Sequence, residues 1–295
     1  RHYHDGTLAP SWGLQIDEGA SILWGLWRHR ELTGSEWVLS DEVWEAVERG
    51  ADFLVRMLDG NGLPKPSHDL WEERIAQHAY SAAAVFGGLE GAARIAEARG
   101  RRDRADVWRE AARRVRDGIS AHLWDAGRGC HYRSIRLAVS EEQYNEAVRA
   151  GAGGSVTRTA KGYAKHVLDA DPVVDVSLLG LAVPFAALDP GDERMAKTAD
   201  HVQEKLWSPA VGGIKRYEND RYIGGNPWIL TTLWLAQFRI AQGRPEEAER
   251  LMRWAIDHQT RFGLLPEQID RETGEAAWVV PLTWSHAMFV LAVWM

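Results

Sequence analysis

Cysteine and long apolar runs are scarce in this sequence. One cysteine, Cys130, occurs among 295 residues, so an internal disulfide is excluded and we expect a small packed side chain. No apolar stretch approaches the roughly 18 residues that a membrane span requires, and the amino end lacks a basic-then-apolar signal. We therefore expect no membrane partner, and the lack of a signal favours a cytoplasmic location.

Positive charge is also in short supply. Lys and Arg total 35 against 42 Asp and Glu, for a formal net charge of −7, and no basic cluster offsets this locally. Phosphate backbones need a basic face, so we expect no nucleic-acid partner. The 11 histidines show none of the spacings typical of zinc, and no Gly-rich phosphate loop or serine-nucleophile elbow is present. We predict no catalytic metal and no cofactor.

Tryptophan, in contrast, is abundant, with 15 copies. An indole offers a flat apolar face that suits helical cores and equally suits stacking against sugar rings. Six tryptophans fall within helical patterns and are predicted to be core residues: Trp24, Trp27, Trp44, Trp108, Trp234 and Trp254. Tryptophans that lie in loops beside carboxylates are the candidates for binding.

Apolar periodicity indicates helices along most of the chain. The predicted helices cover 17–32, 41–58, 78–99, 103–123, 175–188, 192–205, 227–242, 245–259 and 281–295. No stretch alternates convincingly with period two, so we expect no large sheet. Residues 127–173 are the least regular part and are interpreted as a long excursion. The sequence predicts an all-α protein in which residues 1–295 form a single helical domain.

The predicted helices pair into hairpins that recur every roughly 40–50 residues, the period of helical arrays and toroids. Short polar links alternate with long links rich in Gly, Trp and Glu. In a closed ring of hairpins the long links fall at one end, where loops on a rigid scaffold usually carry the site.

Two of the long links carry carboxylates. In residues 69–74, a carboxyl packed against Trp71 would be kept protonated, while one facing Arg74 would stay ionised. In residues 264–270, Glu267 follows a proline and is well placed to activate water. Acidic residues in loops usually lie on the solvated surface. Two acidic loops on the same face of the molecule are stronger evidence for a site, because glycoside hydrolysis needs two opposed carboxyl groups.

The segment Asp-Leu-Trp-Glu-Glu-Arg at 69–74, followed by His-Ala-Tyr-Ser at 78–81, resembles the general-acid motif of glycoside hydrolase family 15, the glucoamylases and their relatives. The resemblance implies that Glu72 is the general acid, that Glu73 contacts substrate, and that Trp71 and Arg74 contribute to binding. Leu-Pro-Glu-Gln at 265–268, with Pro-Leu-Thr-Trp-Ser-His-Ala at 281–287, is similar to the general-base motif, which makes Glu267 the base.

Two further segments carry the same resemblance. Arg216-Tyr217 and Gly-Gly-Asn-Pro-Trp at 224–228 are similar to the substrate-binding stretch, in which Arg216 reads sugar hydroxyls and Trp228 lines the pocket. Residues 11–18 resemble the segment whose tryptophan, here Trp12, folds over the site, with Asp17 as a further binding residue. The four motifs occur in the family's order along the whole chain.

The resemblance implies an (α/α)6 toroid, and the chain has fewer predicted helices than that fold requires. We expect the toroid to be incomplete at its amino end, with an N-terminal domain absent from this chain as a possible partner. The implied reaction removes terminal glucose from an oligosaccharide or polysaccharide α-glucoside with inversion. Its two carboxyls should lie roughly 6.5–9.5 Å apart. Glu72 should have a pKa raised by burial against Trp71, and Glu267 should be ionised.

Other readings of the sequence stay open. A trehalase, or an enzyme for α-1,6 linkages, would share the scaffold. Sugar epimerases and polysaccharide lyases also use helical toroids, but they abstract protons with His or Tyr rather than with two opposed glutamates. A non-catalytic carbohydrate-binding fragment is the remaining alternative.

Overall fold

The computed structural model describes Thr7 and residues 13–295. In this part of the chain the dominant elements are α1 (Ile16–Thr33), α2 (Asp41–Arg56), α3 (Ala79–Ala98), α4 (Arg102–His122), α5 (Glu141–Arg149), α6 (Glu193–Leu206), α7 (Ile229–Ala241), α8 (Pro245–Asp257) and α9 (Thr283–Trp294). The predicted helical class is confirmed, whereas the closed ring stays a prediction. None of these helices combines the length and apolarity that a bilayer crossing requires.

Capping side chains explain where several helices begin. The Ser40 hydroxyl accepts a hydrogen bond from the backbone N–H of Val43 at the start of α2, and the Asp192 carboxylate accepts from two backbone N–H groups of α6. Pro245 occupies the first turn of α8, where its missing N–H costs nothing. These groups satisfy or avoid backbone donors that have no partner within the helix.

The helix predicted over 175–188 is wrong in extent. The structure has only a short 3-10 helix, Val176–Leu181, which the Asp175 carboxylate caps at the N–H of Ser177. Pro184 has no N–H to continue a helix, and Ala186 adopts a positive φ of 55°. The spacing of apolar residues alone therefore overestimated the length of this helix.

The residues group into two compact units, and the first comprises Arg1–Leu123 with Ser134–Asp171. Its core is built on α3, which packs against α1 at very short range. A Cβ atom added at Gly88 would lie 2.6 Å from the carbonyl oxygen of Ala20, and one at Gly91 would lie 2.8 Å from that of Leu23. Glycine is required at both positions because the two backbones approach so closely.

The first unit also contains a five-stranded sheet of short strands, which the sequence did not predict. Its order is β1-β2-β5-β7-β6, and every pairing is antiparallel. The strands are β1 (Ser67–His68), β2 (Ile75–His78), β5 (Ser134–Val139), β6 (Gly154–Arg158) and β7 (Ala164–Asp171). The excursion at 127–173 thus supplies three strands of this sheet, of which β5 pairs with β2 and β7 pairs with both β5 and β6.

The second unit comprises Trp124–Arg133 with Pro172–Met295. Its core is α7, whose residues Ile229–Arg239 are all buried, and the Gln237 side-chain amide donates to the carbonyl of Met288 in α9. The strands of this unit are β3 (Trp124–Asp125), β4 (Cys130–His131), β8 (Gln268–Ile269) and β9 (Ala276–Ala277). Cys130 is fully buried, as predicted.

The tryptophans predicted to be core residues divide into two groups. Trp44, Trp108 and Trp234 are buried, and the indole N–H of Trp234 donates to the carbonyl of Val183. Trp24, Trp27 and Trp254 are only half-buried. Helical periodicity therefore identified the helix face on which each tryptophan lies, but it did not predict how deeply each ring is buried.

Candidate active site

Residues 69–74 form the loop of a β-hairpin in the first unit. Strands β1 and β2 pair through Ser67 with Ala76 and His68 with Ile75, and the N–H of Asp69 donates to the carbonyl of Arg74 at 3.0 Å. The hairpin leads directly into α3. The acidic loop predicted from the sequence is thus a short, well-anchored turn.

The Asp69 carboxylate organises this loop from within. It is 4% exposed, and its Oδ1 accepts from the N–H groups of Glu73, at 2.7 Å, and Arg74, at 3.2 Å. The Arg74 guanidinium pairs with Glu73 at 2.7 Å and lies 3.5 Å from the Asp69 carboxylate. His78, at the end of β2, makes a 3.2 Å hydrogen bond with the carbonyl of Arg74. One buried carboxylate therefore fixes the shape of the loop and holds Arg74 beside it.

Glu72 lies at the tip of the loop with a positive φ of 61°, and its backbone N–H donates to the carbonyl of Asp69. A non-glycine residue in the left-handed region costs of order 1–3 kcal/mol and is found preferentially at functional sites. The side chain is exposed, while Trp71 is half-buried. The expected burial of Glu72 is therefore wrong, because the residue is exposed at the tip of the hairpin.

Asp17 lies in the first turn of α1 and is only 2% exposed. Burial raises its pKa to about 6, although hydrogen bonds from the Ser81 hydroxyl and the Gln15 amide to its carboxylate oppose the rise. Asp17 thus connects the start of α1 to the start of α3, just after the hairpin loop. In this structure its carboxylate is enclosed by protein groups.

The raised pKa of Asp17 makes a prediction about stability. Between pH 3.8, the ordinary pKa of an aspartate, and about pH 6, Asp17 keeps its proton in the folded chain and loses it in the unfolded chain. Its contribution to the free energy of unfolding therefore falls as the pH rises through that range. Asp17→Asn should remove up to about 3 kcal/mol of the difference in unfolding free energy between pH 4 and pH 7. Urea unfolding at the two pH values measures it.

The control for this experiment is Asp117→Asn, which changes an exposed aspartate of α4. This variant should keep the pH dependence of the unchanged chain. Equal pH dependence in all three proteins would show that Asp17 titrates alike in the folded and unfolded states, contrary to the expectation.

In the second unit, isolated antiparallel bridges and a two-stranded pair assemble into a narrow ribbon. Trp207 pairs with Ile214, Ile214 with Trp228, Trp228 with Gln268, and Gln268 with Ala277 of β9. Glu267 lies in this ribbon directly before β8. Its carbonyl accepts from the N–H of Ile229, and its own N–H donates to the carbonyl of Val279. The backbone of Glu267 is therefore held from both sides.

The Glu267 side chain is 9% exposed, and this burial raises the pKa of its carboxyl. The Gln268 amide donates to the carboxylate at 3.0 Å, and the positive charge of Arg216 acts in the same direction, so both oppose the rise. The sequence predicted a raised pKa at Glu72 and an ionised Glu267; in the structure, burial raises the pKa of Glu267.

Arg216 follows Ile214 in the ribbon and is held by a buried ion pair. Its Nε and Nη2 atoms each donate to Asp220 at 2.8 Å, and both side chains are almost completely buried. The guanidinium lies 4.8–5.2 Å from the centres of three rings, those of Tyr217, Tyr222 and Trp228. A planar charged group held in this way is a rigid donor for hydroxyl groups.

A β-bulge adjoins Glu267 on the other side. Gln268 pairs with Ala277, but the next backbone bond joins Glu267 to Val279, so Trp278 is an extra residue in its strand. Its φ is +65°, and its side chain is 57% exposed. Bulges turn a side chain out of the pleat and are frequent beside active sites.

The structure therefore places the sequence-predicted residues in two groups. Asp17, Trp71, Glu72, Glu73 and Arg74 belong to the first unit, and Arg216, Trp228 and Glu267 come together in the second. Trp12 lies outside the described residues.

Sequence reasoning missed three contributors in the second unit. Asp220 could have been found from its four-residue spacing to Arg216, which suits an ion pair. The roles of Tyr222 and Trp278 depend on the ribbon, and no local pattern signals them.

Comparison with known proteins now gives the family. The family model described as Glycosyl hydrolases family 15 matches residues 7–294. The chain belongs to glycosyl hydrolases family 15. The match includes both the hairpin loop with Glu72 and the ribbon with Glu267.

The relatives that this chain matches are longer than the chain itself. An uncharacterised glycosyl hydrolase of Methanocaldococcus jannaschii is 32% identical over 95% of the chain, which spans 42% of that relative. Isomaltose glucohydrolase of Kribbella flavida is 29% identical over 98% of the chain, which spans 66% of that protein. A solved structure titled as a wild-type glycosidase aligns with a TM-score of 0.75 at 25% identity, over 99% of this chain and 70% of that one.

Proposed function

We propose that this chain carries the catalytic residues of an inverting, exo-acting hydrolase that releases glucose from the non-reducing end of α-glucosides with α-1,4 or α-1,6 linkages. The observation that carries the proposal is a buried carboxyl, Glu267, fixed in the same ribbon as the donor Arg216, in a chain of family 15. We retain the prediction that residues 1–295 form one catalytic domain.

In this mechanism Glu267 is the general base. Its carboxylate takes a proton from a water molecule, which attacks the anomeric carbon on the face opposite the leaving oxygen. A raised pKa strengthens a carboxylate as a base, and the positive charge of Arg216 favours the ionised form. The backbone bonds to Ile229 and Val279 keep the carboxylate in place between turnovers.

Glu72 is the general acid and protonates the leaving oxygen. The side chain is exposed in the free chain, so the substrate itself must supply the low-dielectric surroundings that keep the carboxyl protonated. A sugar bound over the hairpin loop would exclude water from Glu72, with the Trp71 ring beside it. The acid would thus become competent when substrate binds.

Substrate binding falls to the remaining predicted residues. Arg216, Trp228, Trp71, Glu73 and Arg74 supply ring faces and charged groups suited to sugar hydroxyls. Asp17, whose carboxylate accepts hydrogen bonds from Ser81 and Gln15, is retained as a further binding residue. We expect an oligosaccharide or polysaccharide α-glucoside as substrate, as in the isomaltose glucohydrolase relative.

Two alternatives use the same residues differently. A trehalase would apply the same acid and base to an α,α-linked disaccharide. A non-catalytic carbohydrate-binding chain would bind oligosaccharides without cleaving them. Glu267 favours catalysis, because a carboxyl whose pKa is raised by burial against the opposing effect of a charged partner, here Arg216, is typical of functional sites.

The deciding experiment incubates the chain with maltose, isomaltose, trehalose and dextran and follows the products by proton NMR. We expect glucose to appear first as the β-anomer, because inversion converts an α-linkage into β-glucose. Cleavage of trehalose alone would favour the trehalase. Initial release of α-glucose from the non-reducing end of dextran would contradict inversion, and binding without any release would favour the non-catalytic alternative.

A further inference from the structure

Trp278 combines an unusual backbone conformation with an exposed ring. Its φ of +65° is one that tryptophan rarely adopts, and 57% of the residue is accessible to solvent. A residue that is strained and largely exposed contributes little to the core. The stability of the fold therefore does not explain a large aromatic side chain at this bulge.

The surroundings of Trp278 are aromatic and graded in exposure. Trp228 is 5% exposed, Tyr222 is 40% exposed, and the two ring centres lie 6.0 Å apart. Tyr222 then meets the Trp278 ring edge-on, at 6.3 Å and 84°. The buried guanidinium of Arg216 lies 4.8 Å from the Tyr222 ring and 5.2 Å from the Trp228 ring, and Tyr222 links this group to the exposed ring of Trp278.

This gradient separates two parts of a sugar-binding surface. Buried Arg216, Trp228 and Glu267 suit the glucose unit that is cleaved, since the reaction requires groups shielded from water. The Trp278 ring is the most exposed of the three aromatic rings and adjoins this group through Tyr222. Sugar rings present flat C–H faces to aromatic rings, so an exposed indole beside such a pocket suits the units that follow.

We propose that Trp278, supported edge-on by Tyr222, is a stacking platform for the glucose units of an oligosaccharide beyond the unit that is removed. The ligand class is an α-linked glucose oligomer of three or more units. The inference rests on the proposed function, because it places the cleaved unit at Glu267. It assigns to Trp278 a preference for longer chains.

Binding and turnover are tested in the full chain with Trp278→Ala and Trp278→Gly. Glycine removes the ring and also tolerates the positive φ, so it controls for backbone strain. Loss of one stacking contact should weaken binding of the trisaccharide and longer oligomers about tenfold. The loss in kcat/KM should grow from disaccharide to tetrasaccharide, and Trp278→Phe should restore most of it.

Trp294→Ala is the matched control, since Trp294 at the end of α9 is 64% exposed and distant in sequence from the ribbon. This variant should keep the chain-length profile of the unchanged protein. Titrations with maltotriose and isomaltotriose use chains that also carry Glu267→Gln, so that binding is measured without turnover.

The outcomes separate the two proposals. Hydrolysis that proceeds with the same chain-length profile in Trp278→Gly overturns the platform and leaves the proposed function intact. Weaker trisaccharide binding in a chain that hydrolyses nothing supports the platform and overturns the hydrolase. Absence of any oligosaccharide binding by the chain with Trp278 intact overturns both.

Discussion

Glu72→Gln is expected to reduce kcat for maltose or isomaltose by a factor of about 10²–10⁴, the usual contribution of a general acid. Glutamine has nearly the same shape as glutamate and can keep the turn at the tip of the hairpin, but it has no proton to donate to the leaving oxygen. Steady-state hydrolysis at the pH optimum measures the loss. Circular dichroism should show an unchanged helical fold, because the side chain is exposed.

α-Glucosyl fluoride makes this test specific to proton donation. Fluoride departs without protonation, so the variant should hydrolyse this substrate far better, relative to the unchanged chain, than it hydrolyses maltose. An equal loss on both substrates would mean that Glu72 positions the sugar rather than protonates it. Ordinary rates on maltose would remove Glu72 from the mechanism.

Glu267→Gln should lower turnover by a similar factor, about 10²–10⁴, but with a different substrate pattern. Both maltose and glucosyl fluoride need an activated water molecule, so both should lose activity to the same extent. The matched control is Glu272→Gln, an exposed glutamate in the turn between β8 and β9. Full activity in the control and in Glu267→Gln alike would refute the assignment of the base.

The pH profile gives an independent readout of Glu267. A base works only when deprotonated, and burial raises the pKa of this carboxyl above its ordinary value of 4.5. Activity should therefore fall as the solution is acidified, with the midpoint of kcat/KM above that value. A midpoint below 4.5 would contradict the burial effect.

The sequence predicted the helices best where local chemistry marks their ends. Ser40, Asp192 and Pro245 act through groups within one turn of themselves, so their effect can be read without knowing the fold. Strand β6 shows the opposite situation. All of its residues are exposed, so it lacks the alternation that would reveal a strand, and it is paired only through β7.

The candidate site also has parts that a local segment predicts and parts that depend on the fold. Family motifs led directly to Glu72 and Glu267, because each lies in a recognisable segment. The groups that set their properties come from farther along the chain. Ser81 reaches Asp17 across 64 residues, and the position of Trp278 depends on a one-residue shift in strand pairing. Such relations exist only after folding.

The difference in backbone support between the two glutamates bears on how this protein could be altered. Glu267 is locked into its ribbon by main-chain bonds on both sides, whereas Glu72 stands at the end of a short turn organised by one carboxylate, Asp69. Engineering for new linkages should therefore begin with the residues of that turn other than Asp69, which organises it, and Glu72, which is the proposed acid. Randomising them leaves the water-activating machinery untouched, and libraries built there should retain many folded members.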